Sequence, residues 1–161
     1  MTDPSVAPRH SLVIFLGWLL LVALVAMIGA FTSPGAWYAE LEKPPLTPPG
    51  WVFSVVWPIL YLLMVIAAWR VTLRVSPEQR VTVLWPFVAQ LAVNGLWSLL
   101  FFGMNLMVVA LLDLVLLWGL LLLTIRCFAH ISSLAAWLLV PYLAWVSFAG
   151  YLNAGIVWLN G

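Results

Sequence analysis

Five long apolar runs constrain the fold of this chain more than any other feature of its sequence. About 20 helical residues are needed to cross the hydrocarbon core of a bilayer, and each run is about that long or longer. The runs cover approximately residues 11–31, 51–71, 81–102, 106–125 and 132–158. The sequence therefore predicts an all-α integral membrane protein, in which a single domain (residues 1–161) forms one bundle of five transmembrane helices.

The amino-acid composition predicts which kinds of molecule surround or bind the protein. Hydrophobic residues make up 66% of the chain and charged residues 7%, which is too little charge to cover a soluble domain, so the lipid bilayer is the expected surrounding. A net charge of +1 without a basic run predicts no binding to nucleic acid. Cys127 is the single cysteine, which excludes a disulfide within the chain and a cysteine-based metal cluster. We expect no metal site and no required cofactor.

The distribution of basic residues predicts the orientation. Five of the six lie on the side that carries the N-terminus, and only Lys43 lies on the other. The five are Arg9, Arg70, Arg74, Arg80 and Arg126. The positive-inside rule then places the N-terminus in the cytoplasm, with the first loop and the C-terminus outside. The bias favours a bacterial cell membrane, and an outer membrane is the alternative.

The longest polar interruption, residues 37–51, is hereafter called the lid. It holds four of the eleven prolines and has Trp37 and Trp51 at its two ends. Prolines at this density cannot continue a helix and hold the backbone extended or in turns. Tryptophans beside apolar runs are typical of a membrane surface. The segment therefore predicts a stiff aromatic lid between the first two helices.

Polar and aromatic side chains gather in the lid-side half of four predicted helices. Asn94 and Trp97, for example, lie on one stripe of the third helix. Polar groups are costly in hydrocarbon and are expected to face the bundle interior. The pattern predicts a pocket under the lid, and its candidate residues are Trp57, Tyr61, Gln90, Asn94, Trp97, Phe101, Asp113, Tyr142, Trp145, Ala149 and Asn153.

Structural roles compete with ligand contact for several of these residues. Asn94 and Gln90 equally fit interhelical hydrogen bonding, which is common in membrane bundles. Asp113 is a functional candidate as an intramembrane carboxylate, but a neutral packing residue near the interface fits as well. The sequence leaves these alternatives open.

Four ordered segments resemble the TspO/MBR family of bacterial tryptophan-rich sensory proteins and the mitochondrial translocator protein (peripheral-type benzodiazepine receptor). Residues 37–53 resemble its first loop, and three further segments resemble its second, third and fifth helices. The segments read WYAELEKPPLTPPGWVF (37–53), WPILY (57–61), QLAVNGLWSLLFFG (90–103) and PYLAWVSFAGYLN (141–153). One departure is Leu46, where many members have tryptophan.

The resemblance implies a five-helix bundle, commonly a homodimer, with a ligand pocket under the first loop. It implies binding of porphyrins, haem included, and of synthetic isoquinoline carboxamides. Trp37 joins the ligand-binding candidates by motif position, and Trp37 and Trp145 are the candidate residues for photo-oxidative porphyrin degradation. Cholesterol binding is doubtful, because no basic residue follows Tyr151 to complete the proposed sterol pattern.

Three functional classes follow from these observations. A membrane receptor or sensor that binds porphyrins or haem, and so regulates tetrapyrrole metabolism or a stress response, is favoured. A porphyrin or small-molecule transporter or efflux component is an alternative, although no repeat or broken helix pair is evident. The third class is an enzyme that degrades porphyrin in the light. Its chemistry would depend on tryptophan, because the sequence shows no nucleophile–base pair and no nucleotide-binding loop. His10 and His130 are not expected to ligate haem iron, because both lie far from the predicted pocket.

Overall fold

The computed structural model describes residues 8–32 and 34–161. Five long helices carry the apolar runs, and each is long and apolar enough to cross a membrane. The helices are α1 (Pro8–Phe31), the short α2 (Ala36–Glu40), α3 (Gly50–Thr72), α4 (Pro77–Ser98) with a π-helical turn (Leu99–Gly103), α5 (Met107–Ala129) and α6 (Ser133–Asn160). The predicted all-α membrane bundle is confirmed.

The observed helix ends differ slightly from the predicted ones. α4 begins at Pro77 rather than near residue 81. Proline suits the first turn of a helix, where its missing N–H is not needed. α6 continues to Asn160, two residues beyond the predicted end.

The five long helices form a closed ring. α1 packs against α3 and α4, α3 packs against α6, and α5 lies between α4 and α6. Two indole hydrogen bonds join α1 to α3: Trp18 Nε1 donates to Thr72 Oγ1 at 2.9 Å, and Trp69 Nε1 donates to the Ser11 carbonyl at 3.1 Å. Most of the α1 surface faces outward, so these bonds add specificity to a lightly packed helix.

The bundle is filled in the half opposite the lid. Met64, Phe87, Leu121 and Leu139 come from four different helices and are all completely buried there. Small side chains at Ala67, Ala68 and Ala135 let the backbones approach closely in the same region. Because this half is closely packed, open space within the bundle lies on the lid side.

Two sets of contacts hold the lid. At its start, Trp37 and Tyr38 pack edge-on against Phe101, with ring centroids 5.7 and 6.1 Å apart. The π-helical turn presents Phe101 to these rings, and Phe101 itself is buried. This lid cluster, formed by Trp37, Tyr38 and Phe101, therefore fixes α2 to the end of α4.

The second set of contacts joins the lid to the end of α6. The Glu42 N–H donates to Asn160 Oδ1 and Asn160 Nδ2 donates to the Glu42 carbonyl, both at 2.9 Å. The Tyr151 hydroxyl donates to the Pro45 carbonyl at 2.9 Å. Pro44 is buried against Gly155, where a Cβ atom would lie only 2.6 Å from Pro44 Cβ. The absence of a side chain at Gly155 therefore lets the lid lie on α6.

We expect Gly155→Ala to displace the lid. The added methyl group would clash with a rigid proline ring, so Pro44 must move and the Glu42–Asn160 pairing must weaken. Hydrogen exchange measured by mass spectrometry should show faster exchange of the Glu42 amide. Gly150→Ala is the matched control on the same helix, since nothing lies within 4 Å of its added Cβ. Equal exchange in the two variants would contradict this account of the lid.

Candidate ligand-binding cavity

A cavity of about 710 Å³ lies beneath the lid and is lined by residues of all five long helices. This volume is within the range of small-molecule sites, about 300–1,000 Å³. Its walls are mainly apolar and aromatic. The lining residues are Ala26, Gly29, Ala30, Thr32, Pro34, Tyr38, Lys43, Thr47, Pro48, Gly50, Phe53, Ser54, Trp57, Pro58, Tyr61, Asn94, Trp97, Ser98, Phe102, Leu114, Leu117, Trp145, Val146 and Ala149.

Aromatic rings from α3 and α6 form one wall. Trp57 stacks on Tyr61 with centroids 5.2 Å apart, as their one-turn spacing on α3 permits. Trp145 meets Trp57 edge-on at 6.5 Å and Phe53 at 5.5 Å. Trp145 Nε1 is buried and has no hydrogen-bond partner within the described residues, so its N–H donor is left unsatisfied. The wall offers a broad face to a flat ligand.

A hydrogen-bonded chain runs from the cavity into the bundle. The Tyr61 hydroxyl donates to Asn94 Oδ1 at 3.2 Å, and Asn94 Nδ2 donates to the Tyr142 hydroxyl at 2.9 Å. Asn94 is 4% exposed and Tyr142 is completely buried. Asn94 therefore lines the cavity and joins α4 to α3 and α6, while contact between Asn94 and a ligand stays a prediction.

A second polar chain closes the lid-side end of the bundle. Trp97 Nε1 donates to Asn153 Oδ1 at 3.2 Å, and Asn153 Nδ2 donates to the Met107 carbonyl at 2.9 Å. Trp97 also stacks on Phe101 with centroids 5.3 Å apart. One face of Trp97 is therefore part of the lid cluster, while the residue also lines the cavity.

Six of the twelve candidate pocket residues line the cavity, and six do not. The six are Trp57, Tyr61, Asn94, Trp97, Trp145 and Ala149. Trp37 and Phe101 pack against each other in the lid cluster. Tyr142 lies behind Asn94, and Asp113 is buried on α5. Within the described residues, neither Asp113 Oδ2 nor the Gln90 amide has a hydrogen-bond partner.

The sequence reasoning missed the α1 wall and most of the lid contribution. Ala26, Gly29 and Ala30 line the cavity but are small and apolar, so no polar pattern distinguishes them. Tyr38 and Lys43 also line it. Lys43 had a usable signal, since it is the only basic residue on its side of the predicted topology.

The lid end of the cavity holds a tyrosine beside a lysine. Lys43 Nζ lies 4.7 Å from the centroid of the Tyr38 ring. Burial raises the pKa of the Tyr38 phenol above its ordinary value of 10.0. Tyr38 therefore stays neutral at physiological pH and contributes a ring face, not a negative charge.

The cavity lining offers few side chains that usually bind a metal ion. Within the described residues, no group of three or more His, Cys, Asp or Glu side chains is placed to hold a metal ion. His130 is exposed at the end of α5 opposite the lid, and His10 is exposed in the first turns of α1. Neither histidine is part of the cavity lining.

These features define a multi-pass helical membrane protein with an aromatic cavity under a loop lid. The sequence matches the TspO/MBR family over residues 15–159, and the chain belongs to that family. Protein CrtK of Rhodobacter capsulatus is 41% identical over 151 residues, covering 93% of this chain and 94% of that protein. The tryptophan-rich protein TspO of Chlorobaculum tepidum is 45% identical over 130 residues, covering 80% and 82%. The translocator protein of Bos taurus is 39% identical over 142 residues, covering 85% and 84%.

We expect Asn94→Ala to destabilise the bundle. The change leaves the buried Tyr142 hydroxyl without its donor and Tyr61 without its acceptor. The expected loss in free energy of unfolding is about 1–2 kcal/mol, measurable by chemical unfolding in detergent. Tyr61→Phe serves for comparison, because it removes the Tyr61–Asn94 hydrogen bond and leaves the Asn94–Tyr142 hydrogen bond. Its loss in free energy of unfolding should therefore be smaller. An Asn94→Ala variant as stable as the wild type would show that the chain contributes nothing to stability.

Proposed function

We propose that this protein is a receptor of the sensor type that binds porphyrins, haem included, in the cavity under the lid. Ligand binding would then regulate tetrapyrrole metabolism or a stress response. Membership of the TspO/MBR family, with relatives named tryptophan-rich sensory protein and translocator protein, supports a sensor or translocator of the membrane. Porphyrin as the ligand follows from the family resemblance and from the cavity wall described next.

The observation that carries this proposal is the wall formed by Trp57, Tyr61 and Trp145. Aromatic rings attract one another most strongly in offset-stacked and edge-to-face arrangements. A large flat macrocycle can stack on the Trp57–Tyr61 pair while Trp145 meets its edge. A site with mostly apolar walls and few polar groups suits such a ligand, because burial of the ring supplies the affinity.

Recognition of haem would depend on the ring more than on the iron. None of the lining residues is His, Cys or Met, which are common axial ligands. Tyr61 lines the cavity, but its hydroxyl already donates to Asn94. The residues present therefore favour binding through the macrocycle, for metal-free and iron-containing porphyrins alike.

We also propose the finer membrane placement. The helix ends that carry Arg70, Arg74, Arg80 and Arg126 all lie at the end of the bundle opposite the lid. The positive-inside rule places that end in the cytoplasm and the lid outside, in a bacterial cell membrane. The homodimer implied by the family resemblance is likewise a proposal, and chemical cross-linking in membranes would test it.

Titration of the purified protein with protoporphyrin IX tests the proposed ligand. Tryptophan fluorescence should quench saturably in the wild type. Trp145→Phe should weaken binding about three- to tenfold, because it removes part of one aromatic contact. Asn94→Ala should also weaken binding, because Tyr61 would lose the bond that orients its ring.

The matched control is Trp137→Phe. Trp137 lies on the same helix as Trp145 but is 69% exposed on the outer surface. This control should bind like the wild type. Equal affinity in Trp145→Phe, Asn94→Ala and the control would place the porphyrin outside this cavity, and no saturable quenching in the wild type would reject porphyrin as the ligand.

A further inference from the structure

Among the residues that the structure describes, Lys43 is the only charged one in the lining of the cavity. The other polar groups of the lining belong to neutral residues: serines, threonines, tyrosines, tryptophans and Asn94. The Lys43 side chain is partly buried. A charge at the edge of an apolar cavity acts on a ligand more strongly than a charge in water, because solvent screens it less.

The ammonium group of Lys43 is held in place but not neutralised. Nζ donates to the Leu41 carbonyl at 3.0 Å and to the Ala39 carbonyl at 3.3 Å. A lysine ammonium has three N–H donors, so one remains after these two bonds. Among the described residues, no carboxylate forms an ion pair with it, and its neighbours Glu40 and Glu42 are exposed.

We propose that Lys43 is a specificity-determining residue that selects flat apolar ligands with a carboxylate at one edge. The free donor and the positive charge pair with this carboxylate at the lid end of the cavity. The ligand is thereby oriented, with its acidic edge at the lid and its apolar rings against Trp57, Tyr61 and Trp145. This inference rests on the proposed function, because it names the ligand chemistry of the same site.

Lys43 also has a structural role that any test must separate from ligand selection. Ala39 and Leu41 lie at the end of α2, and basic side chains that bond the last carbonyls of a helix stabilise its C-terminus. Loss of Lys43 can therefore loosen the lid by itself. Such loosening would weaken binding of every ligand equally, whether or not the ligand carries an acid.

The test compares protoporphyrin IX, a dicarboxylic acid, with its dimethyl ester, which has the same ring and no charge. Both are titrated into the wild type and into Lys43→Met, Lys43→Arg and the distant control Arg126→Met. Because the ester partitions differently into detergent, the quantity compared is the acid-to-ester affinity ratio in each variant relative to the wild type.

We expect Lys43→Met to lower the acid-to-ester ratio about tenfold, since it removes a charge-assisted hydrogen bond. Lys43→Arg should keep most of the preference because it keeps the charge, and Arg126→Met should keep all of it. If Lys43→Met had the same acid-to-ester affinity ratio as the wild type, the inference would be overturned. This holds if the affinities for both porphyrins stay the same, and also if both fall by the same factor. That result, with both porphyrins binding the wild type, would leave the proposed function standing. If neither porphyrin bound the wild type, the proposed function would fail, and this inference would fail with it.

Discussion

A polar group buried in a membrane bundle is costly unless it has a partner inside the protein, and here two tyrosines meet at one asparagine. Asn94 accepts from Tyr61 and donates to Tyr142, which fixes α3, α4 and α6 at one level. On one side of this junction the bundle is filled by residues such as Phe87 and Leu139; on the other side it is open. The bond also orients Tyr61, whose ring stacks on Trp57 and forms the wall of the cavity. One hydrogen-bonded junction therefore links the packing of the core with the shape of the site.

The lid is held by contacts at its start and in its middle. Trp37 and Tyr38 hold its start against Phe101, while Pro44 and Glu42 hold its middle against Gly155 and Asn160. Because prolines leave the lid few ways to bend, two attachments are enough to keep it over the cavity. The lid also brings Lys43 into the lining, so its position affects the charge that a ligand meets as well as its access.

The membrane bundle could be predicted from the sequence because apolar runs of bilayer length leave few alternatives. The stripe of Asn94 and Trp97 could be predicted as well, since polar groups on one helical face must turn inward. The partners of these residues could not, because Asn153 and Tyr142 lie far away in the sequence. Trp37 and Phe101 illustrate the difficulty: an aromatic residue near a pocket can pack against another aromatic residue instead of lining the cavity, and only the fold decides. The roles of Asp113 and of light-dependent chemistry at Trp145 stay predictions.

The bundle is closely packed at one end and contains the cavity at the other. The packing of the filled half, with Met64, Phe87 and Leu121 at its centre, sets the spacing of the helices. Beyond it, the lid-side ends of the five long helices surround the cavity instead of a packed core. Substitutions that change side-chain volume in the filled half would therefore alter the width of the cavity without touching its lining.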